Sequence, residues 1–359
     1  MDVVPLYDEQ QQQNEALFDA VPICKFLEHL NPFETDITMG FEEVGHAYTF
    51  QNKLLGEEVS SSFGGGSAPL MSVTGLVSLV FEKPDFKKIA ERVFSNRDVM
   101  ERKYPDCKSV EDILELWSAG ATNGTAMHAR FETLANFIES ERPYRSPTEA
   151  LEAFSRLSPF PELMYWKQII RYFKLDQGAR FYRTELKVCY EEVNCVGQID
   201  CVIEVERDRY ILVDWKRCKG GLQMPPRNPQ KPLAECARAS RGRVLPEFEC
   251  LRNINSVTYG VQLSLYRRLF EESSPGKRIV GMVLVVIDST RIGSEEALSF
   301  HEVPGDAVTD ALTDKRTFIY DNAVNELFRH RAENILETYY STLTKKAREQ
   351  LQKIVNNKK

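Results

Sequence analysis

The chain has 359 residues, 42% hydrophobic and 28% charged, with a formal net charge of −7. That length can bury a sizeable core in one elaborated domain or two. No apolar run reaches the roughly 20 residues a membrane-crossing helix needs, and the acidic balance excludes a surface attractive to nucleic acid as a whole, so a polyanionic partner would need a local basic patch.

In chain order, the opening MDVVPLYDEQQQQNE is acidic and Gln-rich and reads as a disordered tail over residues 1–15. It has neither the basic start and apolar stretch of a signal peptide nor the Arg/Ser bias of a transit peptide. The expectation is a soluble intracellular protein, of cytoplasm or nucleus. Ala16–Leu30 has helical apolar spacing through Leu17, Val21, Cys24 and Leu27. Gly45–Phe50 alternates like a strand, Leu55–Ala68 reads as a flexible connection, and Met71–Gly75 as a short strand entering a helix. Residues 84–104 are charged and helical. Ser109 caps a helix over Val110–Trp117, with Glu111 and Asp112 in its first turn. Ala119–Asn123 is expected to break it, and Gly124–Ser140 forms the next helix, with Met127, Phe131, Leu134 and Ile138 as its stripe and His128 beside it. A short helix within 143–161 and a longer amphipathic one over Glu162–Leu175 follow.

The pattern then changes to period two. Phe181–Tyr190, Val196–Val205 and Tyr210–Lys216 read as three strands joined by short turns. Ser256–Phe270 reads as a helix and Arg278–Ile287 as a nearly all-apolar fourth strand, covered on both faces. Helices are expected over roughly 307–359. The domain reading is a helical region with a small strand pair over 16–120, a core over 121–300 and a helical region over 301–359.

Within the three strands stand Gly197-Gln-Ile-Asp200 and Ile211-Leu-Val-Asp214-Trp-Lys216. Residues at i and i+2 on a strand share a face. Asp214 and Lys216 therefore face one site, and a neighbouring strand can bring Asp200 alongside. Two carboxylates and an ammonium at a strand end suit a hard divalent cation bound through oxygen, with a cationic group to steady a phosphate or a water. From Lys216 to Arg243 the chain carries eight Lys and Arg against one acid, Glu235. This basic loop, over 217–243 and including Arg217 and Lys219, can contact phosphate.

The order helix, strand, strand, strand, helix, strand, with an Asp on the second strand and Asp-x-Lys on the third, resembles the PD-(D/E)xK nuclease superfamily, in particular its RecB-like exonuclease branch. Three further segments match that branch. Gly124-Thr-Ala-Met-His128 looks like its first motif, Glu185 in Thr184-Glu-Leu-Lys sits where the first core strand carries an acid, and Gln262-Leu-Ser-Leu-Tyr266 looks like its Q-x-x-x-Y motif. The texture is similar to nucleases of large DNA viruses and to mitochondrial genome maintenance exonucleases. The resemblance implies an α/β fold with a restriction-endonuclease-like core, αβββαβ around a mixed four-stranded sheet, and added helices at both ends. It implies a Mg²⁺- or Mn²⁺-dependent deoxyribonuclease of DNA repair, recombination or replication, an exonuclease on DNA with a single-stranded end. Asp200, Asp214, His128 and the Trp215 carbonyl would hold the metal, Lys216 would position or activate water, and Glu185 would be an auxiliary acid. Gln262, Tyr266, Arg217 and Lys219 would hold the strand. A structure-selective endonuclease and a non-catalytic DNA-binding subunit of the same fold are the alternatives. Eight scattered cysteines form no C-x-x-C, and none follows Cys250, so the iron–sulfur cluster of some branch members is not expected.

Overall fold

The computed structural model describes residues 25–42, 47–52, 57–60, 70–81, 85–222, 254–303, 308–310, 315–317, 320–341 and 343–356. The expected tail over 1–15, the start of the Ala16–Leu30 helix, most of the Leu55–Ala68 connection and the basic loop beyond residue 222 lie outside the described residues.

Two short helices, α1 (Phe26–Leu30) and α2 (Glu34–Thr38), lead into three antiparallel strands, β1 (Met39–Glu42), β2 (Ala47–Asn52) and β3 (Glu57–Ser60). The strand β3 falls inside the stretch read as a connection. Its Glu57-Glu-Val-Ser sequence has a single strong strand former, and pairing with β2 decides its conformation. Two residues of strand, β4 (Met71–Ser72), then enter α3 (Val73–Val80), with the Ser72 hydroxyl accepting from Gly75 N as the N-cap. Residues 85–103 form α4 (Phe86–Phe94) and α5 (Arg97–Lys103).

The helix that follows corrects the expected break. One helix of 32 residues, α6 (Val110–Glu141), runs straight through Ala119–Asn123. Ser109 and Asp112 form a reciprocal capping box at its start. Gly120 and Gly124 sit where an added Cβ would meet nothing. Each glycine costs about 1 kcal/mol of helix propensity, and the buried stripe Met127, Phe131, Leu134, Ala135 and Ile138 outweighs that cost. After α7 (Pro147–Leu157), the expected single helix over Glu162–Leu175 is instead a 3₁₀ turn at Pro161–Tyr165, α8 (Trp166–Tyr172) and a second 3₁₀ turn at Leu175–Gln177. Lys174, with φ +57°, ends the α-helical run.

The core sheet contains β4, β5 (Arg180–Tyr190), β6 (Cys195–Glu206), β7 (Arg209–Cys218), β8 (Arg278–Asp288) and β9 (Leu298–Glu302), and α9 (Asn255–Ser273) crosses between β7 and β8. It is mixed. β5 with β6, β6 with β7 and β8 with β9 pair antiparallel, whereas β7 with β8 and β4 with β6 pair parallel. The four expected strands are present and two more extend the sheet. The two-residue β4 is too short for any period to show, and β9 is a half-buried edge strand. Between 301 and 359, a hairpin of β10 (Val308–Asp310) and β11 (Lys315–Thr317) precedes α10 (Asp321–Tyr339) and α11 (Lys345–Asn356), so this region is not helical throughout.

Both faces of the sheet are covered, which makes the fold α/β. On one face Leu186, Leu212, Leu284 and Val286 pack with Val261, Leu265 and Leu269 of α9 and with Val324, Leu327 and Phe328 of α10. On the other, Val213, Trp215, Val283 and Val285 pack with Met127 and Phe131 of α6 and with Trp166 and Ile169 of α8. No helix among the described residues is long and apolar enough to cross a membrane.

One topological detail places the candidate site. β5 occupies one edge of β6 along nearly its whole length, so β7 and β4 share the other edge. β7 pairs with Cys201–Glu206, and β4 takes up the same edge at Cys195 and Val196. Gly197–Asp200 lie in the gap between them. There β7 leaves β6 and continues along β8 through Asp214, Trp215 and Lys216.

Candidate metal centre

The gap draws side chains from four elements. His128, Glu185 and Asp200 each offer a ligand atom, and these atoms lie within 4.8 Å of one another. His128 Nδ1 stands 3.6 Å from Asp200 Oδ2 and 4.0 Å from Glu185 Oε1. The other ring nitrogen, Nε2, lies 2.9 Å from the Trp215 carbonyl oxygen. Asp200 Oδ2 accepts the Trp215 backbone N–H at 2.8 Å. This bond fixes β7 against β6 just past the last pair of their ladder.

Glu185 reaches the group through its backbone. Its φ is +46°, left-handed in the middle of a strand. Leu186 pairs with Ile199 and Thr184 with Cys201, so Glu185 falls opposite Asp200. Left-handed backbone at a non-glycine residue costs on the order of 1 kcal/mol. Gln198, two residues before Asp200 and on its strand face, donates to Glu185 Oε2.

Asp214 is placed differently from the other acids. It is 2% exposed, and its Oδ2 stands 2.6 Å from Lys216 Nζ. Burial pushes its carboxyl up to about 6, with Asp200 acting in the same direction and Lys216 opposing. Burial also works against the Lys216 ammonium, but Asp214 and Asp200 outweigh it and raise the lysine above its ordinary value. Lys216 is therefore held charged, with Nζ 4.8 Å from the centre of the Tyr259 ring. Burial raises Glu185 well above the ordinary carboxylate range, Asp200, Glu132 and Asp214 add to this, and Gln198 partly offsets it.

The donor set fits a divalent cation. Two carboxylates, an imidazole and a backbone carbonyl are donors of the kind that hold Mg²⁺ or Mn²⁺. His128 Nε2 and the Trp215 oxygen stand at hydrogen-bond distance, and a protonated Nε2 would donate there. Carboxylate oxygens held together while both faces of the sheet are closed are costly without a counter-charge.

The residues assigned to strand binding are dispersed. Gln262 Nε2 donates to the Tyr266 hydroxyl at 3.0 Å, one turn along α9. Tyr266 is buried rather than presented to a strand, and its phenol is raised well above its usual value by burial and then by Asp214. Its ring lies against Gly197. A Cβ there would come 2.5 Å from Tyr266 Cε1 and 2.9 Å from Val73 Cγ2. Gly197→Ala should therefore destabilise the protein by about 1–3 kcal/mol, as overpacking does, and should loosen Tyr266; thermal melts and turnover of the variant check both. Arg217 points to the other sheet face, where its Nε is 3.6 Å from Glu162 Oε1. Lys219 is exposed, with Nζ 5.1 Å from the centre of the Tyr104 ring.

Four neighbours escaped the sequence reading. Gln198 was legible in principle from its i−2 spacing to Asp200, and Tyr259 from its i−3 spacing to Gln262. Tyr48 on β2 carried no local signal. Burial and then the charges of Glu185 and Asp200 push its phenol up to about 12. Glu162 lies 55 residues from its partner Arg217, and no spacing rule links them.

The raised carboxyls have a thermodynamic consequence. In the pH interval above the unfolded carboxylate range, near ~4, the folded protein retains protons that the unfolded chain has released. Metal-free stability therefore falls as pH rises from about 4 through 6 and beyond. Glu185→Gln removes one of these charges. It should raise the melting temperature of the EDTA-treated protein at pH 8 and change it little at pH 4. Mn²⁺ should raise the wild-type melting temperature more at pH 8 than at pH 5. Melting temperatures independent of pH and of Mn²⁺ would contradict both expectations.

No protein-family profile matches the chain, and no curated protein matches it. Among solved structures it is similar to one described as "Crystal structure of SSO0001", at 13% identity and a TM-score of 0.24, over 77% of this chain and 78% of that one. A likeness at that score carries no argument about fold or activity.

Proposed function

We propose that the chain is a Mg²⁺- or Mn²⁺-dependent DNA nuclease with a PD-(D/E)xK core, acting as an exonuclease on DNA with a single-stranded end. The observation that carries this reading is the convergence of His128, Glu185 and Asp200 beside a buried Asp214–Lys216 pair, in the gap where β7 leaves β6. Asp200, His128, Glu185 and the Trp215 carbonyl would hold the ion. Asp214, with Lys216 against its Oδ2, would join them. The imidazole nitrogen makes the set softer than an all-oxygen one, which favours Mn²⁺ in vitro. When bound, the ion supplies Lewis-acid stabilisation of the phosphate charge and a lowered pKa for the attacking water.

The remaining work falls to the chain's own residues. Lys216, held charged by Asp214 and Asp200, acts as a donor to a phosphate oxygen or as an orienting group for water. A group so raised is a poor base. The Trp215 N–H holds Asp200 in place, and Gln198 holds Glu185. Gln262 holds the Tyr266 phenol, which feels the charge of Asp214 and whose ring packs against Gly197.

The decisive experiment incubates end-labelled linear DNA and covalently closed circular DNA, single- and double-stranded, with Mg²⁺, Mn²⁺ or EDTA. Degradation of linear DNA from a single-stranded end, dependent on metal, is expected. Efficient nicking of closed circular duplex would replace the exonuclease with an endonuclease. Full cleavage in EDTA would rule out the metal mechanism.

A further inference from the structure

On the sheet face opposite Lys216, a carboxylate is buried between two guanidinium groups. Glu162, 3% exposed, comes from the 3₁₀ turn at Pro161–Tyr165. Its Oε1 is 3.6 Å from Arg217 Nε and its Oε2 is 3.6 Å from Arg130 Nη1. Neither contact is a hydrogen bond. Among the described residues, Glu162 Oε2 and Arg217 Nε are both buried and have no hydrogen-bond partner. A buried ion pair that serves only stability closes on good hydrogen bonds, as Glu139 does with Arg142 at 2.7 Å through both oxygens. Among the described residues one negative charge here faces two positive ones, an excess of one positive charge.

The location gives that excess a use. Arg217 follows Lys216 directly on β7. Arg130 follows His128 by two residues on α6, about half a turn round the helix. Phe131, the residue after Arg130, packs edge-on against Trp215, the second residue before Arg217, with ring centres 5.2 Å apart. Arg130 lies over the Phe160 ring at 5.8 Å and keeps 45% of its side chain exposed, while Arg217 keeps 16%. The ring and the carboxylate hold the Arg130 fork in place, and much of it still faces solvent. Guanidinium groups so fixed bind phosphate oxygens in two-pronged fashion with little loss of side-chain freedom.

We propose that Arg130 and Arg217, set by Glu162, form a second phosphate subsite, which takes a backbone phosphate next to the one at the metal centre. Glu162 is a positioning residue. The subsite rests on the nuclease reading, because its ligand is the neighbouring phosphate of the same strand. It sets the direction in which a strand leaves the metal centre, across the end of β7 towards Phe160.

The test measures binding of a labelled single-stranded oligonucleotide in EDTA by fluorescence anisotropy across a salt series, for wild type, Arg130→Ala and Arg130→Lys. For single strands, each phosphate neutralised contributes about −0.7 to the slope of log K against log salt. Arg130→Ala should lose about that much slope and bind roughly fivefold more weakly at low salt. Arg130→Lys should keep the slope and lose affinity, because it keeps the charge and not the fork. With Mn²⁺, Arg130→Ala should raise KM and leave kcat within about twofold, since it removes binding that ground and transition states share. The half-exposed Arg130 is the folding-safe choice, and thermal melts check it. Wild type that binds in a salt-dependent way, with an unchanged slope in Arg130→Ala, overturns the subsite alone. Wild type that neither binds nor cleaves DNA overturns both the subsite and the nuclease reading.

Discussion

Asp200→Asn should reduce metal-dependent cleavage by about three orders of magnitude or more, equivalent to about 4 kcal/mol of transition-state stabilisation, while the protein stays folded. Asp200 is where the proposed centre is joined. One oxygen accepts the Trp215 N–H at 2.8 Å and stands 3.6 Å from His128 Nδ1. An asparagine can keep the first contact by presenting its carbonyl oxygen to Trp215. Its other terminal atom is then an amide NH₂, a donor that no cation accepts. The variant also relieves the repulsion that raises Glu185 and Asp214, so the metal-free protein should melt no lower than wild type. Turnover on linear DNA with saturating Mn²⁺, together with thermal melts, checks both halves. Wild-type turnover in this variant would remove Asp200 from the site.

Lys216→Ala should lower turnover by roughly two or more orders of magnitude, the scale of losing one preorganised electrostatic group. It should leave Mn²⁺ affinity largely in place. The ammonium has two functions that the variant separates. It neutralises Asp214, which is 2% exposed, and in the proposed mechanism it also serves the phosphate or the water. Removing it leaves a buried carboxylate unpaired, so stability should drop by about 3–5 kcal/mol at pH 8 and recover as pH falls, because Asp214, no longer held down by the ammonium, takes up a proton more readily than in the wild type. Lys216→Arg keeps the charge against Asp214 and should recover most of the stability while restoring little of the rate. A near-wild-type rate for Lys216→Ala, with the stability loss present, would make Lys216 a structural partner of Asp214 and nothing more.

The sheet was legible in the sequence because its signal is local. Alternation in Phe181–Tyr190, Val196–Val205 and Tyr210–Lys216 sets strand limits to within a few residues of those observed, and the all-apolar Arg278–Ile287 run required cover on both faces. The same alternation put Asp214 and Lys216 on one face. The long helix was not legible, because Gly120 and Gly124 read as punctuation, and only tertiary packing of Met127 and Phe131 makes them affordable. At the site, residue types and strand order were visible. The left-handed Glu185, the gap between β4 and β7, and the transfer of Arg217 to Glu162 were not. Each arises from pairing between segments far apart in the chain, and no periodicity encodes it. Tyr266 belongs with these. Its spacing to Gln262 was plain, but its burial depends on Gly197 lacking a Cβ.

Uninterrupted, α6 is a single stiff rod, ~48 Å long at 1.5 Å per residue. Trp117 near its outer end touches Phe86 and Tyr104, with ring centres 6.1 and 6.4 Å away, and His128 lies three turns further on. The rod keeps these two stations in phase. A single residue inserted between 118 and 124 would turn one station against the other by ~100°. The outer helices α4 and α5 would then be thrown off their aromatic seat, or the imidazole would be swung away from Asp200. A stretch that looks like a dispensable hinge therefore tolerates no change in length, and tolerates substitution freely as long as the helix survives.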